Sequence, residues 1–188
     1  MSGRSPKKRL LVWIIVILIV AALAGVGYFI LHKKQGGDQA QQVLAQMEQM
    51  IPGLGQETGT SGGLGRDPLA SLSIDGIDVV GVLEIPSLNL MVPVTDKEGE
   101  RPGFVTWRSG SPVQGQFRLT GSKTDVFLSL SKVAPEAAVY FTDIDGVRYS
   151  YAVTTQLNLK NWDEPDYDLM LGYDIDDQTQ FIVGCTRN

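Results

Sequence analysis

The chain has 188 residues, 43% of them hydrophobic, and a formal net charge of −5. That length allows one small domain plus an anchor and excludes two full domains. A single cysteine, Cys185, excludes an intrachain disulfide, and with a single histidine, His32, it leaves no ligand set for a Cys/His zinc site.

The charge is unevenly spread. Residues 1–34 hold six of the sixteen basic residues and no acid, so residues 35–188 hold ten basic against twenty-one acidic residues, a net −11. A domain of that sign repels nucleic acid and anionic polymers, and no nucleic-acid partner is expected. A basic ligand or a divalent cation is the more natural partner.

Residues 1–9 form a basic tail with Arg4, Lys7, Lys8 and Arg9. Leu10 to Leu31 is then a run of 22 uncharged apolar or small residues, ~33 Å as a helix against a ~30 Å hydrocarbon layer. It is longer than the ~7–15 apolar residues of a cleaved secretory signal. It is therefore read as an uncleaved anchor, with Trp13 and Tyr28 near its two interfaces. Four basic residues before it and two, Lys33 and Lys34, after it place the N-terminus in the cytoplasm and the rest outside. The expected location is the cell membrane, crossed once.

Residues 32–66 read as a stalk. Val43, Met47, Met50 and Ile51 fall at helical spacing, so Asp38 to Ile51 forms a short amphipathic helix that either packs on the domain or continues the anchor outward. Pro52 to Arg66, with glycine at 53, 55, 59, 62, 63 and 65, reads as a flexible tether. These glycines precede no helix, so they form no phosphate-binding loop, and no cofactor is expected. The globular domain is placed at 67–188.

Within it the pattern is mostly β. Val79–Pro86 reads as a strand ended by proline, and Leu88–Val94 as a second after a turn at Ser87, with Pro93 best placed at an edge. Gln116–Thr120 is a third, entering a turn at Gly121. Val126–Val133 has apolar residues at 126, 127, 130 and 133 and reads as a short helix. Asp143-Ile-Asp-Gly146 between Ala138–Thr142 and Val147–Thr154 is a hairpin signal. Asp168–Tyr173 and Gln180–Cys185 are the last two strands. Seven or eight short strands with one or two short helices predict a small closed β-barrel, which removes exposed edges.

Four segments carry a resemblance. Gly81-Val-Leu-Glu-Ile-Pro-Ser-Leu-Asn-Leu-Met-Val-Pro-Val94 places an Ile-Pro pair ahead of a strand and a Pro-Val. Ser109-Gly-Ser111 and Leu119-Thr-Gly121 approach a turn, Tyr140–Tyr151 is a hairpin, and Asp166–Leu171 leads into a late strand. In this order and spacing, over about Leu72 to Asn188, the chain resembles the sortase transpeptidases of Gram-positive bacteria, nearest to class B-like members. The resemblance implies a sortase-like barrel. It also implies a mechanism in which a thiolate attacks a threonyl bond of a sorting signal, a histidine acts as acid and base, and an arginine stabilises the oxyanion.

At the implied histidine position stands Ser122, whose hydroxyl cannot shuttle protons near neutrality. The implied cysteine position falls at Asp174, in Gly172-Tyr173-Asp174, and the implied arginine position at Gln180. A rival alignment makes Phe181–Arg187 the cysteine strand, with Cys185 as nucleophile and Arg187 only two residues on. It leaves Asp168–Tyr173 as a surplus strand, and it restores no histidine.

The expectation is a membrane-anchored, sortase-like protein without catalytic activity. Its partners would be a peptide, a surface protein or an active sortase, in an accessory role at the cell surface. The alternative is an active, divergent sortase using Cys185. Three further readings stay open: Ser122-Lys123 as a Ser-Lys pair, a calcium site from Asp174, Asp176 and Asp177 with Asp163, Glu164, Asp166 and Asp168 nearby, and Trp107 and Trp162 as a groove or as packing.

Overall fold

The computed structural model describes residues 37–51, 54, 68–96, 101–160 and 166–188. The basic tail, the anchor at 10–31, His32, most of the glycine-rich tether, Trp162, Asp163 and Glu164 lie outside the described residues. Among the described residues no helix is long and apolar enough to cross a membrane.

Residues 37–188 form one compact unit. It is mainly β, with one α-helix among the described residues, α1, over residues 37–50. The strands are β1 (Leu72–Ile74), β2 (Ile77–Ile85), β3 (Leu90–Thr95), β4 (Val105–Ser111), β5 (Gly115–Thr120), β6 (Ala138–Asp143), β7 (Arg148–Leu159), β8 (Leu169–Asp174) and β9 (Gln180–Arg187). They make one sheet in the order β1-β2-β3-β4-β5-β8-β9-β7-β6, and β6 pairs also with β2, so the ladder from β2 onward returns on itself. Pairing is antiparallel except between β3 and β4 and between β5 and β8.

The return pairing depends on Gly81. It lies opposite Asp143 in the β2–β6 ladder, and a Cβ there would meet the Thr142 carbonyl oxygen at 2.3 Å and the Phe141 ring at 2.6 Å. Any larger residue would force the two backbones apart.

β2 is buried along nearly all its length because both its faces are covered. Val80, Leu83 and Ile85 enter the main core with Phe117, Leu119, Phe141, Tyr151, Leu171 and Val183. Ile77, Val79 and Val82 face a second cluster. A bulge between Val79 and Gly81 exchanges the inward and outward positions along the strand. Two-sided burial removes the polar alternation, which leaves the near-continuous apolar run seen in the sequence.

The second cluster is where α1 docks. Ala40, Val43, Met47 and, just past the helix, Ile51 are buried against Ile74, Ile77, Val79, Val82 and Phe104. Their spacing of three and four residues puts them on one stripe. Of the two placements open for this segment, packing on the domain is the one observed, and the compact unit starts at Gly37 rather than near Asp67.

Two local expectations are corrected. Residues 126–133 do not form an α-helix: turns lead into a single 3-10 turn at Leu130–Lys132. The bonds are of the i to i+3 kind, Leu128 to Asp125, Leu130 to Phe127 and Val133 to Leu130. Phe127, Leu130 and Val133 are buried three apart, the 3-10 period, so this tighter winding puts all three in the core. β4 is a strand that the alternation did not reveal.

Candidate functional site

β5 and β8 run parallel, with Thr120 beside Gly172. β8 and β9 are antiparallel, with Asp174 opposite Gln180. The C-terminal ends of β5 and β8 and the start of β9 therefore meet at one end of the sheet. β4 lies on the far side of β5, with Ser109 opposite Arg118. Together these strand ends form a cleft of about 260 Å³ lined by Arg108, Ser109, Arg118, Thr120, Asp174 and Gln180.

Inside the cleft, Gln180 Nε2 donates to Asp174 Oδ1 at 2.9 Å. Asp174 only accepts, so this bond fixes the orientation of the Gln180 amide and leaves Oε1 as its other end. That Oε1 is buried with no hydrogen-bond partner. Arg108 Nε donates to Thr120 Oγ1 at 2.9 Å, which ties an exposed guanidinium on β4 to a buried hydroxyl on β5. Under Asp174, Tyr173 stacks on Phe181 with centroids 5.1 Å apart and closes the core beneath the site.

Ser122 follows directly on β5. Gly121 N donates to the Gly172 carbonyl at 3.1 Å, and a Cβ at Gly121 would meet Val126 Cγ2 at 2.7 Å and Phe127 Cδ2 at 2.9 Å. Only glycine lets the chain pass so close to the loop it is about to form. Ser122 opens that loop: its carbonyl accepts from Asp125 N and Phe127 N, and its hydroxyl pairs with Thr124 Oγ1 at 3.1 Å. It stands at the same end of the sheet as Asp174 but is not among the residues lining the cleft. The Lys123 ammonium lies 5.8 Å from the centre of the Tyr173 ring, while the Ser122 hydroxyl is engaged with Thr124. No Ser-Lys pair is formed.

Cys185 is in the middle of β9, fully buried, between Val153 on β7 and Leu169 on β8. Burial pushes its thiol up to about 12. An activated cysteine needs the reverse, an electropositive and partly open setting that favours the thiolate.

No protein-family model matches the sequence, and no curated protein matches it. Solved structures do. Sortase C1 from Streptococcus agalactiae superposes with a TM-score of 0.51 at 16% identity, over 62% of this chain and 71% of that one. The lid mutant of the same enzyme gives a TM-score of 0.51 at 20% identity, over 62% and 72%. The fold is sortase-like. Sortase A from Corynebacterium diphtheriae aligns with a TM-score of 0.49 at 18% identity, and the chain spans 61% of its length. The two superpositions above a TM-score of 0.5 are with a class C sortase, where the sequence motifs pointed to class B-like members.

The sortase-like fold brings two of the three positions singled out in the sequence, Asp174 and Gln180, into direct contact and puts the third, Ser122, at the adjoining strand end. Among the described residues no group of three or more His, Cys, Asp or Glu side chains is placed to hold a metal ion, and Asp163 and Glu164 of the calcium reading lie outside them. Asp176 Oδ1 instead accepts from the backbone N–H groups of Gln178 and Thr179 at 2.9 and 2.8 Å and caps the β8–β9 turn. Those bonds hold its carboxyl below the ordinary value. Asp174 is bonded to Gln180. Trp107 is buried and donates from Nε1 to the Gly110 carbonyl at 2.9 Å, a packing role. Arg108 and Arg118 are the residues that sequence reasoning missed. They meet only through the β4–β5 register, and no local motif announces it.

Proposed function

We propose that this chain is a membrane-anchored, sortase-like protein without transpeptidase activity. It holds a peptide segment of a surface protein in the cleft beside Asp174 and Gln180, as an accessory to protein anchoring or assembly at the cell surface. The observation that carries this reading is the Gln180 to Asp174 hydrogen bond of 2.9 Å at the strand ends. The resemblance would put a thiolate and a guanidinium there. A carboxylate is a poor nucleophile toward an amide, and a neutral amide lacks the charge and fork that stabilise an oxyanion. Ser122 supplies no acid–base group.

The run from Leu10 to Leu31 supports the anchor, and the excess of basic residues ahead of it supports an outward-facing domain. The alternative, catalysis by Cys185, requires a thiol that substrate can reach, and full burial weighs against it. Mixing the purified chain with sorting-signal peptides and an amine nucleophile tests the reading. Binding without cleavage or transfer is expected, and cysteine-dependent transfer would overturn it.

A further inference from the structure

The outer edge of β3 is covered along only part of its length. Against β2 the strand is paired from Leu90 to Thr95, but against β4 only at Val94 and Thr95. Asp96 N donates to the Asp78 carbonyl at 2.9 Å, so the backbone groups of the even-numbered residues turn toward β2. The bulge in that ladder adds its extra residue on β2, which leaves the alternation along β3 unbroken. Met91, Pro93 and Thr95 therefore turn their backbone groups outward. Pro93 has no N–H to offer there. Met91 has both an N–H and a C=O, in the stretch that β4 does not reach.

Met91 lines a groove of about 320 Å³ between β3, α1 and the loop that follows β5. Leu44, Val126 and Leu128 contribute apolar walls. Leu128 is 66% exposed, more than any other large apolar side chain among the described residues. Gly103, just ahead of β4, donates its N–H to Asp125 Oδ2 and ties that loop to the start of β4. Asp125 is the one ionisable residue lining the groove among the described residues, and residues 35–188 carry a net −11. The charge here complements a cation.

We infer that this groove is a strand-addition site, in which an extended segment of a partner protein, carrying apolar side chains and a lysine or arginine, pairs with the Met91 N–H and C=O and continues the β3 ladder where β4 leaves off. An acyl chain or the face of a helix has nothing to pair with an outward N–H and C=O. An extended segment satisfies both and directs alternate side chains to the two sides of the groove. The apolar ones cover Leu44 and Leu128, and the cation faces Asp125. This site goes beyond the peptide-holding reading above and shares no lining residue with the cleft at Asp174 and Gln180.

The test uses the full chain, isotope-labelled in phosphatidylcholine nanodiscs, with amide hydrogen exchange read by magnetic resonance. In the free chain the Met91 N–H should exchange about tenfold or more faster than the Val92 N–H, which turns into the β2–β3 ladder. Three probes follow: N-acetyl-Thr-Val-Lys-Val-Thr amide, the same peptide N-methylated at every residue, and the same peptide with Glu for Lys. The first should protect the Met91 N–H, shift the Leu128 signals and leave those of Asp174 and Gln180 unmoved. The N-methylated peptide should bind about tenfold or more weakly, because it has no main-chain donor. The Glu peptide should bind several-fold more weakly, and Asp125→Asn, which keeps an acceptor for Gly103, should remove that difference. Leu128→Ser should weaken the first peptide several-fold. A Met91 N–H as slow as that of Val92 in the free chain, equal binding of the N-methylated peptide, or no binding at millimolar peptide would overturn the inference. So would broadening of Met91 and Leu128 by a lipid-borne spin label with no effect of the peptide, which would assign the groove to the bilayer. Shifts at Asp174 and Gln180 alone would overturn it and leave the reading of that cleft standing.

Discussion

Gln180 and Asp174 are register partners across the β8–β9 ladder, and the Gln180 amide donates to the Asp174 carboxylate at 2.9 Å. The pair stands at strand ends that line the cleft. The one thiol of the chain, Cys185, lies further along β9 inside the core. Asp174 is exposed, Gln180 is half-buried and Cys185 is fully buried, and exposure decides what chemistry each can do.

That contrast is measurable by thiol labelling. Cys185 in the native chain should react with a disulfide reagent only as fast as the core opens, and promptly after denaturation. In an Asp174→Cys variant a second thiol at an exposed strand end should react in the native state, orders of magnitude faster. Comparable native rates for the two thiols would show that Cys185 is accessible.

Burial also fixes a direction for alkaline stability. The Cys185 thiol is pushed up to about 12 from 9.0 by desolvation. Tyr149 is pushed up to about 12 from 10.0 by desolvation and by neighbouring Asp143, and Tyr151 is raised for the same leading reason. The unfolded chain loses these protons near their ordinary values, whereas the folded chain keeps them. Their stabilising contribution is therefore complete below pH 9 and is lost as pH rises toward 12. The melting temperature should fall across that interval, and Cys185→Ala should make the fall shallower. An unchanged slope in that variant would contradict the burial of the thiol.

On the opposite side of the sheet, Arg148 holds Glu84 through two hydrogen bonds of 2.8 and 3.0 Å and lies 4.1 Å from the centre of the Tyr140 ring. Both side chains are nearly buried, at 8% and 10% exposure. Removing one partner strands the other charge, so Arg148→Met should cost about 3–5 kcal/mol in chemical denaturation. The double variant Arg148→Met with Glu84→Leu should recover most of that loss. A single-variant cost near zero would mean that solvent reaches the pair.

Helix α1 belongs to the domain by the same logic. Val43 and Met47 are fully buried, and they cover Ile77, Val79 and Val82 on the outer face of β2. Met47→Ala should cost about 2–5 kcal/mol. A chain begun at Asp67 exposes that apolar face and should melt at a lower temperature, or aggregate, compared with one begun at Gly37. Equal melting temperatures would show that the helix contributes nothing to the fold.

Most strands were legible because their apolar residues are continuous or alternate cleanly. β2, β8 and β9 read as dense apolar runs, and the Asp143–Gly146 turn announced the β6–β7 hairpin, where Asp143 Oδ1 accepts from Asp145 N and Val147 N. β4 was not legible. Register shifts flank Ser109 on both sides, which breaks the two-residue period. The expected 126–133 helix failed because spacings of three serve a 3-10 turn as well as an α-helix. The same limit hid half of the cleft. Asp174 and Gln180 were found through their places on strands with a family resemblance. Arg108 and Arg118 come from a strand pair whose register is set by packing and is written in no short motif.

The most direct test is the intact mass of the chain after incubation with a threonyl-containing sorting-signal peptide, with and without an amine acceptor. A chain without a usable nucleophile keeps its mass and leaves the peptide whole. A mass increase matching an acyl group on Cys185, absent after Cys185→Ala, would contradict the proposed loss of transpeptidase chemistry.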